Sequence, residues 1–190
     1  MLEERGVFLD HTTVFRWVIR FTPLLLKLFQ QKRKQVGRRW RMDETYIKVN
    51  SEDRFLYRAV DKEGNTVDFL LTAKRDRDAA KRFLEKAMKT REEPSLINID
   101  KSGANTAGIE DYNEYHASDI EIRQCKYLNN IVEQDHRNIK RRIKSMLGFK
   151  SFRTAKIVLA GIEMIHMIRK KQFKGAAMSS TAEVFYSLAN

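Results

Sequence analysis

Arg41-Met-Asp-Glu-Thr-Tyr-Ile-Lys-Val49 alternates with a period of two, so Asp43, Thr45, Ile47 and Val49 share one side of an extended chain. It reads as a strand whose inward row begins with a carboxylate. Downstream, Phe55–Val60 reads as a second strand, Asp61-Lys-Glu-Gly-Asn65 as a turn with Gly64-Asn65 at its tip, and Thr66–Thr72 as a returning third strand. The texture then changes. Asp76 to Lys89 carries Ala79, Ala80, Phe83, Leu84 and Ala87 along one helical face. Leu96-Ile-Asn-Ile-Asp100 is short and mostly apolar, which suits a strand buried on both faces and ending in a carboxylate. Gly103–Tyr115 is weakly helical, Ile120–Gln124 alternates as a fifth strand, and Asn129–Ser145 is helical up to Gly148. Ser151 starts a last long helix striped by Ile157, Gly161, Met164, Ile165 and Ile168. A meander followed by alternating helices and strands predicts an α/β architecture: a mixed five-stranded sheet flanked by helices.

Upstream of Trp40, Met1–Gly6 reads as a helix end stopped by Gly6, and Asp10 as the N-cap of a second helix striped by Val14, Trp17, Val18 and Phe21. Helix, glycine turn, helix is the ending of a helix-turn-helix, with His11, Thr12, Thr13 and Arg16 facing a major groove; an ordinary helical hairpin is the alternative. Pro23 and the basic run Lys27–Arg41 predict a linker. The expected organisation is a partial helix-turn-helix over 1–22, a basic linker over 23–39, a catalytic domain over 40–170 and a tail over 171–190. That tail contains a Gly175–Ser180 connector and an apolar Ala182–Leu188 motif.

The 190 residues are 42% hydrophobic and 33% charged, enough for a buried core. Lys and Arg exceed Asp and Glu by 37 to 25, a net +12 that calls for a polyanionic partner, nucleic acid ahead of a membrane surface. A merely basic protein is compatible with charge alone. Cys125 is the sole cysteine, so neither an intrachain disulfide nor a cysteine-based zinc site is available, as in a reducing cytosol. The acidic Met-Leu-Glu-Glu-Arg start is unlike a secretory signal. The longest apolar stretch, Ile157–Ile168, is broken by Glu163 and His166, so no membrane span is expected.

Wound as a helix, Asn129–Ser145 puts Val132, Ile139, Ile143 and Met146 on a core stripe and Glu133, Arg137, Lys140 and Lys144 on a nearly opposite line. One carboxylate heading a cationic ladder suits metal-assisted work on a phosphate backbone. In isolation, a solvated helix with a Glu133–Arg137 pair is the better explanation.

The element order is the one the ribonuclease H-like fold uses, in which the first and fourth strands lie side by side. Asp43, Asp100 and Glu133 would then converge. Their repulsion calls for one or two divalent cations, and oxygen-only ligands favour Mg²⁺ or Mn²⁺.

Trp40–Val49 strongly resembles the first catalytic strand of bacterial insertion-sequence transposases of the IS-six family. Tyr57–Thr66, Ala73-Lys-Arg-Asp76, Asn98-Ile-Asp-Lys101 and Lys126–Arg137 resemble that family's later blocks. Asp100 and Glu133 are 33 positions apart, close to the family's spacing, and Lys140 falls where the family places a basic residue. The resemblance implies a DDE transposase with Asp43, Asp100 and Glu133 as catalytic metal ligands. It implies nicking at the element's terminal inverted repeats and 3′-hydroxyl attack on target DNA, by a homo-oligomer in the bacterial cytoplasm, nucleoid-associated when on DNA. Lys140 would meet substrate phosphate, with Arg137, Arg141 and Lys144 extending that contact. Family members normally carry a few dozen residues ahead of the point matching Met1, which puts end recognition in doubt. A truncated relic that binds DNA without productive catalysis is the alternative. A ribonuclease H or junction resolvase on the same fold is a third reading.

Among the other acids, Glu44 points to the opposite strand face, and Asp135 lies on the apolar side of its helix, where burial with a hydrogen-bond partner is expected. His136 stands close enough to the expected metal site for ligation to be considered, but its helical angle favours contact with phosphate or solvent. Trp40 and the phenylalanines read as core.

Overall fold

The computed structural model describes residues 6, 8–146, 148–174 and 180–188, with only the backbone at position 126. They form two compact units, one spanning Gln35–Phe149 and the other the described parts of Met1–Lys34 and Lys150–Asn190.

The larger unit is the sheet. Strands β1 (Arg39–Val49), β2 (Glu52–Asp61) and β3 (Thr66–Thr72) form the expected meander. Asp61 staples its second turn: its carboxylate accepts from the Asn65 backbone (2.8 Å), the Asn65 amide (3.0 Å) and the Gly37 backbone (2.9 Å). Helix α2 (Arg77–Met88) is capped by Asp76, whose side chain accepts from the Ala79 N–H. Strand β4 (Leu96–Ile99), helix α3 (Gly103–His116) and strand β5 (Glu121–Gln124) follow, then a 3-10 turn over Lys126–Asn129 and helix α4 (Asn130–Lys144). The sheet order is β3-β2-β1-β4-β5, with β1 parallel to β4 and antiparallel to β2. This is the mixed ribonuclease H-like sheet that the element order predicts.

Burial along β1 changes sides at its middle. Trp40 and Met42 are buried on one face with α2 and α3, whereas Thr45, Ile47 and Val49 are buried on the other. Asp43 sits at the changeover, and α4 packs on β1 and β2. On α4, Val132 and Ile139 are fully buried as expected; Met146, beyond the helix end, is 37% exposed and leaves the predicted stripe.

The second unit departs from expectation. Helix α1 runs unbroken from His11 to Gln31 with Pro23 inside it, so the first half of the predicted linker is helical. Proline removes one backbone hydrogen bond, but Leu24-Leu25-Leu26 and Leu28-Phe29 resume the helical pattern at once. The predicted stripe is not the buried one. Val14, Trp17, Val18 and Phe21 are 38–46% exposed, while Thr22 and Phe29 are buried. Helix α5 (Phe152–Arg169), capped by Ser151 as expected, falls in this unit with α1. Gly161 of α5 meets Thr22, and the Phe29 and Phe173 rings stack at 5.9 Å. Arg33, expected on a solvated basic run, is only 5% exposed. Helix α6 (Thr181–Tyr186) carries a capping box between Ser180 and Glu183. The predicted Met1–Gly6 helix, Gly6 apart, and the connector up to 179 lie outside the described residues.

Candidate active site

The parallel register sets the first two carboxylates. Arg39 pairs with Leu96, Trp40 with Ile97 and Arg41 with Asn98. Continued two residues past the last pair, the same offset would bring Asp43 level with Asp100. The ladder itself stops at Arg41 and Asn98. Asp100 follows the last residue of β4, where its carboxylate accepts from the Ser102 N–H at 3.0 Å. Glu133 stands in the first turn of α4. Asp43, Asp100 and Glu133 line one cleft of about 440 Å³ together with Lys101 and Asn129.

The side chains around this cleft are tightly engaged. His136, three residues after Glu133, is buried and places its Nε2 3.3 Å from an Asp43 oxygen. Burial pushes its imidazole below the ordinary value, against the opposing pull of Asp43. The sequence reading put His136 towards phosphate or solvent; in the fold it braces Asp43 instead. Glu44 points to the other face, pairs with Arg75 and accepts from the Asn105 amide at 2.9 Å, and burial pushes its carboxyl up. Arg75 also reaches to 4.0 Å from Asp100. Asp135 is buried against Arg58 at 2.7 Å, the outcome its helical face predicts.

Two asparagines complete the surroundings. Asn98 donates to the Asn129 side chain (2.6 Å) and the Cys125 carbonyl (3.0 Å), and Asn129 donates to the Met42 carbonyl (3.4 Å). Neither asparagine, nor Arg75, had a role in the sequence reading. The available signal was position: Asn98 is two residues before Asp100 in an otherwise apolar strand, and Asn129 is one helical turn before Glu133.

Arg137, Lys140, Arg141 and Lys144 are all exposed on α4, and Arg141 donates to Asn138 at 3.0 Å. Among the described residues no ion pair joins Glu133 to Arg137. Thr12 and Arg16 are exposed and Thr13 half-buried at the start of α1, with the Thr12 hydroxyl donating to the Asp10 carboxylate.

The donor set is oxygen-only and open on one side, which fits a hard divalent cation that keeps part of its water. Among the described residues, no three acidic, histidine or cysteine groups close into a compact cation cage. The three carboxylates share the cleft as a loose set.

Residues 37–172 match a DDE domain family. The chain is 37% identical over 172 residues to the transposase for insertion sequence-like element IS431mec of Staphylococcus aureus, covering 90% of this chain and 75% of the relative. It has the same identity and coverage with the transposase for insertion sequence element IS257 in transposon Tn4003. Among solved structures, the catalytic core domain of BIV integrase superposes with TM-score 0.53 at 18% identity, over 80% of this chain and 95% of that one. The HTLV-2 integrase catalytic core domain in its trimeric form superposes with TM-score 0.52 at 18% identity, over 68% and 86%. At that identity the likeness is one of fold.

Proposed function

The chain belongs to the DDE-domain family of insertion-sequence transposases, and from that footing we propose that it nicks DNA at an element's terminal inverted repeats and joins the freed 3′-hydroxyl to target DNA. The observation that carries this reading is the single cleft that Asp43, Asp100 and Glu133 line together. These three residues would hold Mg²⁺, with Mn²⁺ as substitute, and a pair of such ions supplies activation of the attacking oxygen and stabilisation of the leaving one. Lys101 lines the same cleft and Lys140 lies two helical turns beyond Glu133, so both present ammonium groups to a scissile phosphate's neighbours. Arg137, Arg141 and Lys144 extend that contact along the backbone, and Thr12, Thr13 and Arg16 are the DNA-facing residues of α1. Paired element ends call for a homo-oligomer acting in the cytoplasm. Among the described residues no helix is long and apolar enough to cross a membrane.

The deciding experiment incubates the protein and its Asp100→Asn variant with Mn²⁺ and labelled terminal-repeat DNA. Nicking and joining by the parent and none by the variant is the expected result; equal activity of the two sinks the assignment. Binding without cleavage by the parent returns the DNA-binding-only alternative. RNA–DNA hybrids and four-way junctions offered in parallel test the ribonuclease H and resolvase readings.

A further inference from the structure

The β1–β4 ladder ends two residues short of both Asp43 and Asp100, so backbone pairing does not fix the gap between the strands at the level of the carboxylates. Asn129 bridges the two strands where that ladder ends. It is 2% exposed, its Nδ2 donates to the carbonyl of Met42, immediately before Asp43, and its Oδ1 accepts from Asn98, two residues before Asp100. Its own backbone is the N-cap of the helix whose first turn carries Glu133. One amide therefore ties together the three elements that carry the three carboxylates.

We propose that Asn129 is a positioning residue that sets the spacing of Asp43, Asp100 and Glu133 for divalent-cation binding; the proposal rests on the metal-ligand reading of those three. Two features set it apart from ordinary core polarity. An asparagine at an N-cap normally turns its side-chain oxygen onto the first-turn N–H groups; Asn129 makes no such bond and spends its amide on the two strands. Its partner Asn98 is 2% exposed and leaves its own Oδ1 without a hydrogen-bond partner. A buried unpaired acceptor is costly, and an aliphatic residue would pack in its place. What Asn98 gains is the link to Asn129 and to the Cys125 carbonyl, which holds the turn leading into α4.

The test is calorimetric titration of Mn²⁺ into the full chain and its variants without DNA, so activity is not the readout. Asn129→Ala is expected to weaken Mn²⁺ binding roughly 10- to 100-fold, the range for residues that orient metal ligands. Asn98→Ala is expected to weaken it in the same direction, and the double variant by less than the two effects added, because the two residues share one bond. Leu84→Ala, a fully buried α2 side chain outside the cleft, serves as the control: it loses thermal stability but keeps the parent's affinity. Asn129→Ala binding within about threefold of the parent, or Leu84→Ala weakening binding as much, overturns the proposal. Should Asn129→Ala fail to fold, Asn98→Ala carries the same criterion. If the parent and Asp43→Asn titrate alike, the carboxylate metal site is gone and the positioning role with it. That result is distinct from a parent that binds while Asn129→Ala is unaffected.

Discussion

Arg58 has a fully buried side chain, and Asp135 meets it at 2.7 Å, pinning α4 to β2 two residues beyond Glu133. Burial disfavours the guanidinium charge and the carboxylate opposes that effect. Asp135→Ala strips the carboxylate from a buried cation, a change that costs about 3–5 kcal/mol; urea unfolding measures it, and a loss below about 1 kcal/mol would mean that water reaches the site. The burial of Asp135 was legible in its helical phase, but its partner lies 77 positions away and no local pattern names it. Tyr57 gives a pH signature. Burial pushes its hydroxyl up to about 12, whereas an unfolded tyrosine ionises near 10. Between those values the folded state holds the proton more tightly, so its contribution is intact below pH about 10 and lost as pH rises towards 12. Tyr57→Phe is expected to flatten the alkaline limb of a stability–pH curve, and a variant with an unchanged limb would place the alkaline loss elsewhere. His136 shows the limit of residue-level reading: angular position on a helix cannot say whether a neighbouring strand closes over it, and here Asp43 on β1 does.

At the scale of elements, legibility followed the strength of the periodic signal. The strands and α2 were readable because alternation and a 3.6-residue stripe persist over several residues, and Asp76 and Ser151 both cap the helices they were read as starting. α1 departs from the linker that Pro23 suggests because the helix formers that follow outweigh a single interior proline, which removes one backbone bond. Helix α3 has almost no stripe of its own; a contact explains it. Gly108 lies against α2 so closely that a Cβ there would sit 2.6 Å from the Ala80 Cβ and 3.1 Å from the Arg77 carbonyl. Gly108→Ala gains up to about 1 kcal/mol of helix propensity, yet it must push two backbones apart at a cost of about 1–3 kcal/mol. A net loss is expected, read as a lower urea midpoint at unchanged slope. A stabilised variant would show that α2 and α3 can separate freely. The carboxylate-bearing elements were legible as elements; the amides of Asn98 and Asn129 that link them were not, because their partners sit on elements distant in sequence.

For the whole molecule, the informative quantity is the net +12, which suits a polyanionic partner without saying where it would sit. The sheet unit carries the cleft with its three acids, and the cations of α4 lie on the exposed face of the helix that delivers Glu133. Charge that only keeps the chain soluble would be dispersed, with removal of any three cations equivalent. Charge that tracks a phosphate backbone is local. Each neutralised phosphate releases counterions, so the slope of log K against log salt counts the contacts, at about 0.9 per phosphate. Arg137→Ala/Lys140→Ala/Lys144→Ala is therefore expected to make the slope for duplex DNA shallower by about 2–3, equally for terminal-repeat and unrelated sequences, since phosphate contacts position without reading bases. Lys48→Ala/Lys74→Ala/Lys89→Ala, taken from exposed positions elsewhere on the same unit, is expected to change it by less than about 1. Fluorescence anisotropy across a salt series reads both. Equal slopes for the two triple variants would mean that the α4 cations are general solvating charge, and the DNA track would have to be sought on another surface.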